Sequence, residues 1–291
     1  LLTRDVVARA IRREVRAGRG SPHGGVFLDI ASRRSAEEIK KKLPSMYHQF
    51  KELADVDITT DPMEVGPTCH YMMGGVRVDA ETQESTLPGL FAAGEVAGGM
   101  HGSNRLGGNS LSDLLVFGKR AGEFAAAYAQ QISSHGQLNE DEIKHSVGEA
   151  LKPFEESNTE NPYTVHEDLR EVMQNLVGIV RTDEDLRAAL GKLEELRQRA
   201  VNVKVGGNIQ FNPGWHLALD LWNMLDISEA VTRAALDRTE SRGAHTREDH
   251  PGSDAEWGKV NNIVRQQGNE IQVLREPLPE MPDELKELIK D

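Results

Sequence analysis

Apolar residues recur at spacings of three and four through most of the second half of the sequence. Three stretches carry the pattern, with apolar positions at Ile143, Val147, Ala150, Leu151 and Phe154, at Leu169, Val172, Met173, Leu176 and Val177, and at Leu186, Leu190, Leu193, Leu196 and Ala200. Pro213 restarts a fourth stretch that runs to about Ala234. Residues three and four apart lie on one face of an α-helix, so each stretch predicts a helix with one buried face. The residues beyond about Gln131 are therefore expected to form a helical bundle.

The first 130 residues mix helix and strand signals. Thr3 is a favourable N-cap for an opening helix, and Ser35-Ala36-Glu37-Glu38 is a capping box for a second helix that bends or restarts at Pro44. Short strand patterns occupy residues 25–30, 76–79 and 90–93, and a further helix is expected from Asn109 or Ser110. The predicted fold class is α/β followed by α.

Composition excludes several classes of function. Acidic residues outnumber basic ones by 47 to 34, and the net charge of −13 argues against binding to nucleic acid. The single cysteine, Cys69, cannot by itself build a disulfide, an iron–sulfur cluster or a zinc–thiolate site, and no metal site is expected. No stretch approaches the roughly 18 apolar residues that a membrane-spanning helix needs. The start at Leu1 lacks both a methionine and an apolar signal core, so we expect the true beginning to lie upstream.

The segment richest in chemistry lies where a strand pattern gives way to a helix. Seven glycines fall between Gly89 and Gly108, and Glu95 follows the strand pattern directly. Glycine lets the backbone approach a ligand closely, and the N–H groups at the start of the following helix favour an anion or an electron-rich ring. Spacing alone leaves two interpretations open, a ligand site at a strand–loop–helix junction and a plain structural turn.

Four motifs closely resemble those of one family. The sequence reads RDVVAR at 4–9, HYMMGG at 70–75, PGLFAAGE at 88–95 and HGSNRLGGNSL at 101–111. These motifs resemble the flavoprotein subunit of succinate dehydrogenase and fumarate reductase. The helical region, including ESRGAHTRED at 240–249, is similar to the carboxy-terminal part of that family. The resemblance therefore runs over nearly the whole chain.

The resemblance implies binding roles for five residues. It implies that His70 and Arg105 bind a carboxylate of the substrate, that Glu95 contacts the sugar-alcohol chain of FAD, and that Ser110 and Leu111 offer backbone groups to its isoalloxazine ring. The residue types agree with these roles, because a guanidinium can hold a carboxylate with two parallel hydrogen bonds and a histidine can donate beside it. Without the motif, a loop histidine and a surface ion pair would be the preferred interpretations of His70 and Arg105.

The same resemblance makes Arg4 the catalytic proton carrier. Physical chemistry alone would not select it, because a guanidinium stays protonated near neutrality and is a poor base without an acidic relay nearby. Ser241, Arg242 and His245 look catalytic at first sight. In the family their segment serves packing and subunit contact, so the predicted site does not include them.

The resemblance also implies a domain order. It comprises the remainder of a capping domain at 1–69, the returning part of an FAD-binding α/β domain at 70–130, a helical-bundle domain at 131–245 and a C-terminal extension at 246–291. The 291 residues carry no GxGxxG fingerprint after an opening strand. They also lack the segments with the family's histidine for covalent flavin attachment and with its second substrate-binding histidine and threonine. We therefore expect a carboxy-terminal portion that cannot build the whole site alone.

The implied function is FAD-dependent interconversion of succinate and fumarate. By resemblance, electrons pass to a partner subunit that holds iron–sulfur clusters, and from there to a membrane anchor, on the cytoplasmic face of the inner membrane. Two alternatives stay open. L-aspartate oxidase has a similar flavin site but usually shows Ala-Ser-Asn-Ser where this chain has Gly107-Gly108-Asn109-Ser110. The other alternative is a non-catalytic fragment that serves as a helical interaction module.

Overall fold

The computed structural model describes residues 4–133, 136–155, 157–268 and 270–288. It divides into two compact units, 1–75 and 76–291, and each is described by itself. The predicted division into four parts, with boundaries after residues 69, 130 and 245, stays a prediction. Thr3, the predicted cap of the first helix, lies outside the described residues.

The first unit combines three helices with a two-stranded sheet. Its elements are α1 (Arg4–Arg16), β1 (Val26–Leu28), α2 (Ala36–Lys42), α3 (Pro44–Ala54) and β2 (Met63–Val65). Ser35 caps α2 as predicted, because its side chain accepts the Glu38 N–H at 3.2 Å. Helix α3 restarts at Pro44, also as predicted. The core of this unit is built on Ile39, Ile58 and Met63.

Strand β1 pairs antiparallel with β2, with Val26 opposite Val65 and Leu28 opposite Met63. The chain enters β1 through Gly25, where an added Cβ would lie 2.3 Å from the Val65 carbonyl oxygen. Only glycine allows this approach of two backbones. The sheet therefore depends on a residue with no side chain.

The second unit opens with loops and a long helix. The predicted strands at 76–79 and 90–93 appear as single bridges, which join Val76 to Ala97, Val78 to Ser85 and Glu84 to Phe91. The strand at 76–79 does not extend because Asp79 accepts the N–H groups of residues 81 and 82 with its side chain, which turns the backbone away from a ladder. A short 3-10 turn (Gly94–Val96) and α4 (Asn109–Gln131) follow.

The helices of the helical region form where the apolar periodicity predicts them. They are α5 (Glu140–Leu151), α6 (Pro162–Leu176), α7 (Asp183–Ala200) and α8 (Pro213–Asp237). The predicted buried face is wrong for α5, in which no residue is buried and Ile143 and Val147 are 47% and 52% exposed. This helix meets the bundle at its carboxy-terminal end instead, where Nε1 of Trp215 donates to the Ala150 carbonyl at 2.6 Å.

Helices α6, α7 and α8 pack around a buried cluster that includes Val165, Leu169, Leu193, Leu196, Leu221 and Leu225. Asn161, Thr182 and Asn212 cap these three helices, each through a side-chain oxygen that accepts a first-turn N–H.

An antiparallel hairpin of β3 (Val260–Gln267) and β4 (Glu270–Pro277) precedes the short α9 (Asp283–Leu288). The sequence pattern did not predict this hairpin. Its strands pack against α8. Within the described part of the chain, none of the helices has the length and apolar character that crossing a bilayer requires.

Candidate functional site

The 3-10 turn that carries Glu95 packs directly on the beginning of α4. Gly94 has a φ of 77°, and a Cβ added there would lie 2.6 Å from Cδ2 of Leu114. A side chain at Gly94 would be strained at this φ and would require the Leu114 side chain to move. Glu95, exposed at the surface of this turn, therefore lies near the helix start that carries Ser110 and Leu111.

Between this turn and α4 runs the glycine loop, residues 98–108. Gly99, Gly102 and Gly108 have φ of 98°, 55° and 86°, a region that residues with a side chain rarely adopt. A Cβ added to any of them, or to Gly107, would meet no atom within 4 Å. The loop therefore presents bare backbone to open space. Such a surface fits a flat ring laid against it.

Helix α4 begins without a side-chain cap, because its N-cap residue is Gly108. Although the Leu111 N–H donates to the Gly108 carbonyl at 3.1 Å, the first turn contains no acidic residue that would neutralise the positive end of the helix. This helix start is therefore suited to receive partial negative charge from a ligand.

Large apolar side chains surround the same helix start. Leu111 is 68% exposed, Leu106 73% and Leu115 77%, and Leu114 and Val116 are also exposed. An exposed apolar cluster of this kind marks a surface that a ligand or further polypeptide covers. The helix start thus combines a polar backbone end with an uncovered apolar face.

Arg105 lies in the glycine loop and is half-buried, and its Nη1 donates to the Leu106 carbonyl at 3.1 Å. Two contacts hold the loop before it. Nε2 of His101 lies 3.3 Å from the carboxylate of Asp113 on α4, and these side chains are only 10% and 2% exposed. The Ala244 N–H donates to the Ser103 carbonyl at 2.9 Å.

Four of the six predicted site residues lie in the second unit: Glu95 on the 3-10 turn, Arg105 in the glycine loop, and Ser110 and Leu111 at the start of α4. Arg4 and His70 belong to the other unit, where both are exposed. Arg4 opens α1, and His70 follows β2. That these two residues approach Arg105, and the binding and catalytic roles of all six residues, stay predictions.

Sequence reasoning missed the buried pair of His101 and Asp113. Its signal is faint, because an acidic residue in the first turns of a helix is usually solvated. The one signal in the sequence is that Asp113 lies between Leu111 and Leu114 in an apolar stretch, where a buried side chain is expected.

Among the described residues there is no group of three or more His, Cys, Asp or Glu side chains that could hold a metal ion.

Comparisons with known proteins agree with this geometry. A family model described as FAD binding domain matches residues 1–111, and one described as fumarate reductase flavoprotein C-term matches residues 166–285. A fumarate reductase (CoM/CoB) polypeptide of Methanothermobacter marburgensis is 44% identical over 88% of this chain and 46% of that protein. The succinate dehydrogenase flavoprotein subunit of Coxiella burnetii is 36% identical over 88% of this chain and 46% of that protein.

Solved structures give the same result. Mycobacterium smegmatis Sdh1, in a structure with UQ1, is 55% identical with a TM-score of 0.91, and the match covers 100% of this chain and 49% of that chain. E. coli quinol fumarate reductase FrdA is 30% identical with a TM-score of 0.87, over 96% of this chain and 49% of that one. The chain spans about half the length of these relatives. It belongs to the succinate dehydrogenase and fumarate reductase flavoprotein family.

Proposed function

We propose that the protein carrying this chain uses FAD to interconvert succinate and fumarate. The observation that carries the proposal is the glycine loop, which presents open backbone beside Arg105 and leads into the uncapped start of α4. The relatives named fumarate reductase and succinate dehydrogenase support the same substrate pair.

The residues present suit FAD. Side chains on the glycine loop would occupy the space that a flat ring needs, and Gly99, Gly102 and Gly108 leave that space open. A reduced flavin carries negative charge near N1 and the C2 oxygen, which the positive end of α4 at Ser110 and Leu111 would stabilise. The exposed carboxylate of Glu95 can accept hydrogen bonds from sugar hydroxyls.

The substrate roles follow from residue chemistry. Arg105 can hold one carboxylate through two parallel N–H groups, and His70 can donate to a carboxylate beside it. When bound, FAD supplies hydride acceptance and donation at N5. Arg4 takes a proton from the second methylene carbon during succinate oxidation and returns one during fumarate reduction. An acidic relay must exchange the proton with Arg4, since the guanidinium is otherwise always charged.

We further propose that polypeptide beyond these 291 residues completes the site. The exposed leucines around the start of α4 need a cover, and the 291 residues contain no GxGxxG turn for the pyrophosphate of FAD. Any covalent link to FAD would use a histidine outside this chain. An iron–sulfur subunit would receive the electrons and pass them to a membrane anchor on the cytoplasmic face of the inner membrane. The structurally similar quinol–fumarate reductase, solved with menaquinol molecules, supports a quinone as the far electron partner.

The test is turnover by the protein expressed from its complete reading frame. We expect reduction of an artificial electron acceptor with succinate, oxidation of a reduced dye with fumarate, and no reaction with L-aspartate. Turnover of L-aspartate in place of succinate would favour the oxidase alternative. A flavin-free protein with neither activity would favour a non-catalytic interaction module.

The isolated 291-residue chain gives a second test. We expect it not to retain FAD, because half a pocket leaves polar groups of the flavin without partners. The measurement is the visible absorption spectrum of the purified chain. A stoichiometric flavin band would refute the proposal that further polypeptide is needed.

A further inference from the structure

A tight turn from the end of the helical region touches the glycine loop. The turn is Arg242–His245, in which the N–H of each end residue donates to the carbonyl of the other, at 2.8 and 3.0 Å. At its tip the Ala244 N–H donates to the Ser103 carbonyl at 2.9 Å. Ser103 lies two residues before Arg105. Segments about 140 residues apart in sequence thus meet next to the predicted carboxylate-binding arginine.

Gly243 makes this contact close. Its φ is 58°, and an added Cβ would lie 2.5 Å from the Ser103 Oγ and 2.6 Å from the Ser103 carbonyl oxygen. Real Cβ atoms do not approach backbone so closely, so a side chain here would have to displace the loop. The turn and the loop therefore meet backbone to backbone.

His245 holds the turn from behind. Its Nδ1 lies 2.9 Å from Nη1 of Arg181, and its Nε2 lies 3.1 Å from the Arg238 carbonyl oxygen. Because a guanidinium can only donate and a carbonyl can only accept, the ring must carry its proton on Nε2 and be neutral. Burial, together with the charges of Arg181 and Arg247, lowers the pKa of His245 to about 4. The ring thus stays neutral at physiological pH.

A buried carboxylate holds the other end of the turn. Glu240 is 0% exposed and accepts from Nε of Arg242 at 2.9 Å, from Nη2 of Arg242 at 3.0 Å, from Arg238, and from the Asp254 N–H at 2.8 Å. Burial raises the pKa of Glu240, but the hydrogen bonds from Arg242, Asp254 and Arg238 outweigh it and hold the pKa at about 2. The turn is therefore fixed at both ends.

We propose that the Arg242–His245 turn is a positioning device for Arg105. It fixes the backbone at Ser103, while the His101–Asp113 pair fixes the loop two residues earlier, so that the guanidinium of Arg105 is held in place before a dicarboxylate arrives. Preorganisation of this kind lowers the entropy cost of binding. The inference rests on the proposed role of Arg105 in binding the substrate.

The test compares two glycine substitutions in the protein expressed from its complete reading frame. Gly243→Ala forces the loop away from the turn. Gly268→Ala is the matched control, because Gly268 has nearly the same φ, 61°, and an added Cβ there would meet nothing within 4 Å. Both substitutions place a side chain at a positive φ near 60°, and only the first presses on Ser103. Each protein is assayed for the KM and kcat of fumarate reduction, for flavin absorbance and for amide hydrogen exchange.

For Gly243→Ala we expect KM for fumarate to rise at least tenfold, with a smaller change in kcat and with full flavin absorbance. The amides of residues 101–106 should exchange faster than in the parent protein. Gly268→Ala should change neither KM nor the exchange of that loop. A role confined to stability would instead speed exchange throughout the helical region and leave KM unchanged, and that result would overturn the proposal. Faster loop exchange with an unchanged KM would overturn it as well.

A measurement on the parent protein covers the case in which Gly243→Ala does not fold. The Ala244 amide lies on an exposed residue, so its slow exchange would report the bond to Ser103. We expect slow exchange of the Ala244 amide, and further slowing at residues 101–106 when malonate, a small dicarboxylate, is added as a ligand for Arg105. Exchange at the rate of an unstructured peptide would overturn the proposal. Absence of succinate and fumarate turnover in the parent protein would instead refute the proposed function, whatever the exchange shows.

Discussion

Replacing Glu240 with glutamine should destabilise the second unit more than any exposed charge substitution. In the structure this carboxylate receives donors from two arginines and from the Asp254 N–H while being 0% exposed. An amide keeps one acceptor oxygen but turns two N–H groups toward side chains that can only donate. The arginines at 238 and 242, whose side chains are 18% and 35% exposed, would then lose the negative charge that faces them and keep only the amide oxygen and backbone carbonyls as acceptors.

The magnitude follows from that loss. Removing one partner of a buried ion pair costs about 3 to 5 kcal/mol, and the acceptor oxygen that the amide retains places this substitution at about 3 kcal/mol. For a unit of this size each kcal/mol lowers Tm by about 2 to 4 °C, so Glu240→Gln should lower Tm by about 6 to 12 °C at pH 7.

The effect should depend on pH with a definite sign. The pKa of Glu240 falls from 4.5 to about 2 on folding, so its stabilising contribution is complete above about pH 5 and is lost as the pH falls toward 2. The Tm difference between the parent protein and Glu240→Gln should therefore shrink over that interval. The neutral His245 adds acid sensitivity to both proteins and cancels in the difference.

Thermal unfolding followed by circular dichroism at pH 7 and at lower pH values measures the effect. Glu167→Gln is the matched control, because Glu167 meets Nη1 of Arg170 at 2.6 Å but both side chains are about two-thirds exposed, at 65% and 64%. Its Tm should change by less than about 2 °C. Equal shifts for the two substitutions would show that burial of Glu240 contributes nothing, and would refute the reasoning.

Two further predictions concern the complete enzyme. Arg105→Lys should lower kcat/KM for fumarate by roughly 30- to 1,000-fold, about 2 to 4 kcal/mol, because an ammonium cannot reproduce the planar two-donor fork. The control is Arg120→Lys, at an exposed ion pair with Glu81, which should leave kcat/KM unchanged. Near-normal kinetics of Arg105→Lys would remove Arg105 from the site. Arg4→Gln should abolish turnover, while the flavin absorbance and its shift on binding malonate persist. The control is Arg13→Gln, because Arg13 lies about 180° around α1 from Arg4 and should tolerate the change with normal turnover. Retention of more than about a tenth of turnover by Arg4→Gln would contradict its role as proton carrier.

The helices were predictable because their signals are local. Ser35, Thr182 and Asn212 each bond an N–H within three residues, so the cap and its partner are read in one short window. The apolar period then identifies the buried face, as with Leu193 and Leu196. Neither signal depends on what lies elsewhere in the fold.

The hairpin of β3 and β4 was not predictable in this way. Its apolar residues include the neighbours Ile263 and Val264, so the alternation typical of a half-buried strand is missing. Polar contacts hold it to α8 instead, since Nδ2 of Asn262 and Nε of Arg275 each donate to Oδ2 of Asp237 at 3.0 Å. A strand that polar side chains hold in place lacks the alternation of apolar residues from which strands are predicted.

The candidate site also contains one part that the sequence predicts and one part that it does not. Glycines before a helix start are visible in sequence, and the open backbone at Gly99, Gly102 and Gly108 agrees with that interpretation. The assignment of individual roles rested on resemblance, because spacing alone could not separate a ligand site from a turn. The structure adds the His101–Asp113 pair, whose members lie twelve residues apart with no motif to link them.

The segment at 240–249 shows why residue type alone misleads. Serine, arginine and histidine in close succession suggest a nucleophile and a base. Ser241, however, donates to the His250 carbonyl and accepts the Arg247 N–H, both at 2.8 Å. Arg242 holds a buried carboxylate, and His245 is neutral between Arg181 and a carbonyl. Their polar atoms are committed to holding one turn, so none is available to react. What faces the glycine loop is the backbone at the tip of that turn. The contact with the glycine loop depends on the N–H of Ala244 and on the missing side chain of Gly243, so the chemistry of the neighbouring polar side chains does not reveal it.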